Sequence, residues 1–125
     1  MTPNHFQIVG ERACAQAVGF VSLNEAVNMV GDALAFARQQ TVRKIHVDIT
    51  ALRGFPPPTI LQRYRFCQKW ANAAGPALRM AMVARSEMID PGKFGVTVLR
   101  NRGTVADVFV SEAEAARWLD SGMCS

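Results

Sequence analysis

The chain has no apolar run approaching the roughly 20 residues that a membrane-spanning helix needs. Its first residues, MTPNHFQIVGERAC, lack the charged and then apolar regions of a secretory signal. A cytoplasmic protein without a membrane span is expected. Cysteine is scarce: Cys14, Cys67 and Cys124 are odd in number and widely spaced. That pattern argues against a disulfide framework and against a zinc site. Cys14 and Cys67 read as small core residues, and Cys124 as a thiol of the tail. There is no Walker loop, no GxGxxG and no HExxH, so neither catalysis nor a cofactor or metal is expected. Low-complexity segments and internal repeats are absent. The net charge is +4, but the basic residues are scattered rather than massed, so a nucleic-acid partner is not expected.

What is present is material for one core. Half of the 125 residues are hydrophobic and 19% are charged, an ordinary balance for a folded domain of this length. One domain is expected over 1–125, with 121–125 as a flexible tail. His5 to Val9 and Ala13 to Val21 are apolar runs separated by Gly10-Glu11, a hairpin turn with glycine first. Ser22 and Glu25 have capping-box spacing. After them Leu23, Ala26, Val30, Ala33, Leu34 and Ala37 recur at helical period, to about Gln40. Ile45, Val47 and Ile49 alternate with Lys44, His46 and Asp48 as in a strand with one polar side. A second helix is expected from Pro58 to Ala74, with Pro58 in its first turn. Leu78 to Ala84 reads as a buried strand. Asp90-Pro91 reads as the start of a helix reaching Arg102, and Gly103 as its cap. Val105 to Val110 reads as a last strand, and Ser111 with Glu114 as a second capping box opening a short helix.

The resulting order, β-β-α-β-α-β-α-β-α, predicts a single α/β domain. Its sheet is mixed and mostly parallel, with an N-terminal hairpin and right-handed crossovers. The polar side of Lys44–Ile49 predicts that part of this sheet is not covered on both faces. In such sheets, strand-to-helix loops at the carboxyl edge are where ligands and partners bind. The segment KIHVDITALRGFPPPTIL, Lys44 to Leu61, supplies such a loop.

Three stretches in this order resemble the STAS domain, and more closely its SpoIIAA-like branch. Asp48-Ile49-Thr50, followed by Ala51-Leu52 and a loop before a helix, is similar to the Asp-Leu-Ser/Thr opening of the signature in anti-sigma-factor antagonists. ALRMAMVARS resembles the family's fourth strand and the loop after it. VADVFVSEAEAARWL resembles the strand and acidic short helix that end the SpoIIAA-like branch. The likeness extends over nearly the whole chain, and only the order and spacing of the three stretches make it specific. A bacterial origin is implied by this resemblance alone. In the antagonists an Asp-Ser pair follows, whose serine is phosphorylated. Here those positions hold Pro56 and Pro57, so the standard phosphoswitch is not preserved. Thr59, two residues on, is the weak substitute acceptor, set against an ordinary role at a helix start.

A shallow polar site of Asp48, Thr50, Arg53, Ser86 and the amides before Ile60 is the leading candidate. The loop after Ala84 brings in Arg85, Ser86 and Glu87. The alternative is that Asp48 and Thr50 only bond loop amides and fix the turn. His46 shares a strand face with Asp48, and a hydrolase centred on His46 and Ser86 is the remote alternative, because no nucleophile elbow surrounds Ser86. On the second helix, Ile60, Tyr64, Cys67, Ala71 and Ala74 form the expected core stripe. Gln62, Arg65, Lys69 and Asn72 form its solvated side. Phe66 and Trp70 lie beyond the stripe's edge, either widening it or forming a partner patch, and the resemblance implies partner contact on this helix. The expected function is a non-enzymatic regulatory module engaging a protein partner through 50–59 and the following helix. A homodimer remains open. The alternative is a carrier of a small apolar molecule or lipid in a cavity under the same loop. Met29, Met80, Met82 and Met88 suit either such a cavity or an ordinary core.

Overall fold

Polar and apolar residues alternate along the second and third strands. In the computed structural model, which describes residues 6–121, this alternation sorts the molecule into layers. The elements are β1 (Phe6–Val9), β2 (Arg12–Phe20), α1 (Leu23–Gln39), β3 (Lys44–Arg53), α2 (Ile60–Ala74), β4 (Arg79–Val83), α3 (Phe94–Asn101), β5 (Val105–Phe109) and α4 (Glu112–Ser121). One sheet has the order β1-β2-β3-β4-β5. The β1–β2 hairpin is antiparallel and every other pairing is parallel, so the expected fold class is the observed one. Gly10, at φ +63°, takes the first central position of the two-residue hairpin turn. His5 and Cys124 lie outside the described residues. Of the expected tail, Ser121 ends α4 and 122–125 lie outside them as well.

The inner face of the sheet carries Ala13, Ala15, Ile45, Val47, Met80, Met82 and Ala106, packed under α1, α2 and α3. From the helices come Val30, Ala33, Leu34 and Ala37, then Cys67, Trp70, Ala71 and Ala74, then Val98 and Leu99. Fully burying a Leu or Val side chain stabilises by roughly 1.5–3 kcal/mol, so this layer dominates the fold's stability. The outer face is covered only in part. There α4 sets Ala115 and Leu119 on Ala81 and Val83, with Phe109 and Trp118 at the margin. It packs against β3, β4 and β5 and leaves the outer side of β1 and most of β2 uncovered. An ion pair from Arg12 to Asp120 ties the end of α4 to the start of β2. Arg79 lies over the Trp118 ring at 3.9 Å.

Four local differences from the sequence reading have physical causes. First, β3 continues beyond Ile49 to Arg53, pairing Ala51, Leu52 and Arg53 with Val18, Gly19 and Phe20. The ladder shifts register between Gln16 and Val18, two steps on β2 facing three on β3. That is a bulge, and Asp48 builds it: its Oδ1 accepts the Thr50 N–H at 2.8 Å and the Thr50 hydroxyl at 2.6 Å. Second, α2 starts at Ile60, because Thr59 is its N-cap. Thr59 Oγ1 accepts the Gln62 N–H and Gln62 Oε1 accepts the Thr59 N–H, a capping box like that of Ser22 and Glu25. Third, α3 begins at Phe94 rather than Pro91. Asp90-Pro91-Gly92-Lys93 closes a turn in which the Lys93 N–H reaches Asp90 O at 2.8 Å. Proline suits the second position of a turn as well as it suits a helix start. The Asp90 carboxylate still accepts the Phe94 N–H. Fourth, Cys14 is half-buried and in line with His46, whereas Cys67 is a true core residue.

Where β2 and β3 end, the Val21 N–H donates to Arg53 O at 2.8 Å. Gly54 passes so close that a Cβ there would lie 2.3 Å from Val21 O, and its φ is +113°. Only glycine fits this crossing, which delivers the chain into the proline run.

Candidate functional site

Strand alternation sends His46, Asp48, Ala51 and Arg53 to the outer face, and the hydrogen bond to Asp48 brings Thr50 there too. Asp48 is 7% exposed. Burial by itself would raise its pKa, but hydrogen bonds from the Thr50 hydroxyl and amide, a side-chain hydrogen bond with Glu112 and the charge of nearby His46 hold it below the ordinary aspartate value. A buried carboxylate with two donors is a satisfied structural anion. Beside it, burial lowers the His46 pKa below its usual 6.5. The Glu112 and Asp48 carboxylates oppose that shift and Arg12 adds to it. Neutral imidazole is therefore the favoured form at pH 7. His46 is level with Ala81 on β4, and no hydrogen bond joins it to Ser86.

Thr50 leads on to the arginines. Arg53 Nη1 donates to Thr50 O at 2.7 Å and to Leu52 O at 2.9 Å. From the far side of the β3–β4 pair, Arg85 Nη2 donates to the same Leu52 O at 3.1 Å, and its Nη1 to Glu87 at 2.9 Å. Asp48, Thr50, Arg53 and Arg85 are thus one hydrogen-bonded chain. Ser86 is exposed next to it, opening the 3-10 turn Ser86–Met88. Thr59 is not part of this chain, since its hydroxyl is engaged in capping α2. Of the sequence-derived set, the fold joins Asp48, Thr50 and Arg53, places Ser86 beside them and sends Thr59 to the helical layer. Arg85 and Glu112 were not singled out as site residues, because only strand register and the return of α4 bring them here.

The apolar surface also differs from the sequence reading. Trp70 is 7% exposed, and its indole N–H donates to Val27 O at 3.0 Å. Phe66 is half-buried against it, with ring centroids 4.6 Å apart. The two do not form an exposed patch: they widen the core stripe, because the indole has an acceptor on α1. Ile60 and Tyr64, assigned to the stripe, are exposed instead. The exposed apolar rim at the carboxyl edge is Phe20 at 86% exposure, Leu61 at 57% and Ile60 at 51%, with exposed Pro56 and Pro57 between them in the chain.

Under this loop lies an apolar cavity of about 100 Å³, between the inner sheet face and the three helices. Its lining includes Leu52, Phe55, Cys67, Met80, Met82 and Val96. Arg63 bridges the two loops that border it, donating to Pro58 O and to Met88 O, each at 3.1 Å. Burial pushes the Cys67 thiol up to about 12, with Arg63 pulling the other way, so it is an unreactive apolar wall. No group of three or more His, Cys, Asp and Glu among the described residues could hold a metal ion. No described helix is long and apolar enough to cross a membrane.

The site therefore belongs to an α/β domain with one half-covered sheet face and a proline-stiffened carboxyl-edge loop. In comparisons with known proteins, no family model and no curated sequence matches the chain.

Proposed function

We propose that the chain is a regulatory protein-binding module of the STAS-like, SpoIIAA-like type, acting in the cytoplasm without catalysis and without a phosphoserine. Its partner surface is the rim of Phe20, Pro56, Pro57, Ile60 and Leu61. The observation that carries this reading is that Phe20 at the end of β2, and Ile60 and Leu61 where the proline loop enters α2, are each more than half exposed. Exposed apolar side chains at the carboxyl edge of an α/β sheet, where partners bind, suit an interaction surface. The element order and the position of Asp48-Ile49-Thr50 support the family resemblance. The capped, exposed Thr59 fits a helix-start role better than that of a phospho-acceptor.

The test compares immobilised wild type with Phe20→Ser and Leu61→Ser proteins in extracts of the source cells. Proteins held by the wild type and lost from both variants support the reading. Identical retention by all three discards it. Native mass spectrometry of the same samples reports whether the partner is a second copy.

The carrier reading rests on the cavity. At about 100 Å³ it falls below the roughly 300 Å³ at which small-molecule sites begin, and it is smaller than the roughly 150 Å³ engineered cavity that admits benzene. A lipid chain needs more room than this, so the carrier reading ranks second. A co-purified apolar molecule in the native mass spectrum would reverse that order.

A further inference from the structure

The two arginines at the carboxyl edge have more donors than the fold uses. Arg53 and Arg85 both donate to Leu52 O, at 2.9 and 3.1 Å, so two cations converge on one neutral acceptor. A guanidinium has five N–H donors. Arg85 uses Nη1 on Glu87 and Nη2 on Leu52 O, and its Nε is buried with no hydrogen-bond partner. Arg53 uses only Nη1, so its Nε and Nη2 have no acceptor among the described residues. The nearby carboxylates are engaged. Asp48 accepts from Thr50, and Glu87 meets Arg85 from an exposed position. Glu87 shows which chemistry this pair takes, since its carboxylate already accepts from Arg85 Nη1.

The surroundings extend the pattern. Phe20 pairs in register with Arg53, so both side chains leave the same outer face, at the end of β2 that no helix covers. Val18 is exposed one alternation earlier on that face. A segment crossing this corner meets two guanidiniums beside an exposed aromatic ring.

We propose that Arg53 and Arg85 bind the carboxylate of an aspartate or glutamate on the protein partner, and that Phe20 takes that residue's apolar neighbour. This rests on the protein-binding reading and names the partner's chemistry. Planar forks suit a carboxylate, and charge-assisted bonds of this kind are stronger than neutral ones. Arg53 and Arg85 are recognition residues here, and Asp48 and Thr50 position Arg53.

The test uses a displayed library of random dodecapeptides selected on the wild-type chain. The expected winners carry Asp or Glu next to an aromatic or branched apolar residue. Changing that acid to its amide, or making Arg53→Gln with Arg85→Gln, should each weaken binding about tenfold or more, with little further loss when combined. The Arg53→Lys, Arg85→Lys protein keeps both charges and guards against misfolding. It should melt like the wild type and still lose several-fold in affinity, because ammonium lacks the fork. Winners without acids, whose binding is lost in Phe20→Ser but kept in the glutamine variant, would overturn the carboxylate proposal and leave the protein-binding reading intact. Tighter binding of a phosphoserine peptide than of its glutamate form would also overturn it. Failure to select any peptide would count against both.

Discussion

The two faces of this sheet are made from the same strands but depend on different physics. On the inner face, Ala15, Ile45, Val47 and Met80 meet three helices and no polar partner is required. On the outer face, Cys14, His46, Asp48 and Arg53 come from the intervening positions, and one short helix covers part of them. The inner face holds its shape by excluded water and close packing. Where α4 does not cover it, the outer face holds its shape by directed bonds, the Asp48 bulge above all. Stability should therefore concentrate on one side and recognition on the other.

Removing an inner aromatic gives the largest expected effect. Trp70→Ala should cost about 3–5 kcal/mol, since it empties a site between α1 and α2 and removes the indole hydrogen bond to Val27 O. Urea denaturation measures this. A loss below about 1 kcal/mol would mean that the inner layer does not dominate. Asp48→Ala is next, at about 2 kcal/mol, because a buried charged acceptor of two bonds disappears. The same sample separates structure from recognition. Lowered stability with retained partner binding makes Asp48 a builder of the bulge only, while unchanged stability with lost binding would reverse that assignment.

The third effect is seen against pH. The folded His46 pKa is lowered, so the unfolded chain takes up this proton more readily. Its stabilising contribution is present above about pH 6.5 and is lost as pH falls through the lowered folded value. Asp48 has the same sign at lower pH, because its folded pKa is also depressed. Urea midpoints at about pH 7.5 and pH 5.5 should differ in the wild type and converge in His46→Gln. An undiminished difference in the variant would assign the dependence elsewhere. The smallest effect is Gln16→Ala, at the uncovered part of the outer face, which should stay within about 0.5 kcal/mol of the wild type. A larger loss would show that something covers this face.

Legibility in the sequence followed the range of the forces involved. The Ser22–Glu25 box, the glycine-first hairpin and the α1 stripe depend on residues a few positions apart, and all three are present as read. Asp90-Pro91 misled because a turn and a helix start use the same two residues, and only the seating of α3 chose between them. Phe66 and Trp70 were ambiguous because an aromatic beside a stripe is buried or exposed according to its neighbour. That neighbour, Val27 O, lies 43 residues away. Within the candidate site, Asp48, Thr50 and Arg53 could be named from one strand and one loop. Arg85 was only a residue of the next loop until register brought it to Leu52 O.

Periodicity and turn chemistry were enough for the element order, the mixed sheet and its one polar side, because these arise from side-chain alternation and local backbone preference. The convergence of two arginines on one carbonyl, the bulge under them and the exposed rim with Phe20 were decided in tertiary structure. They depend on strand register and on which face a single helix covers, and those are balances among residues distant in the chain.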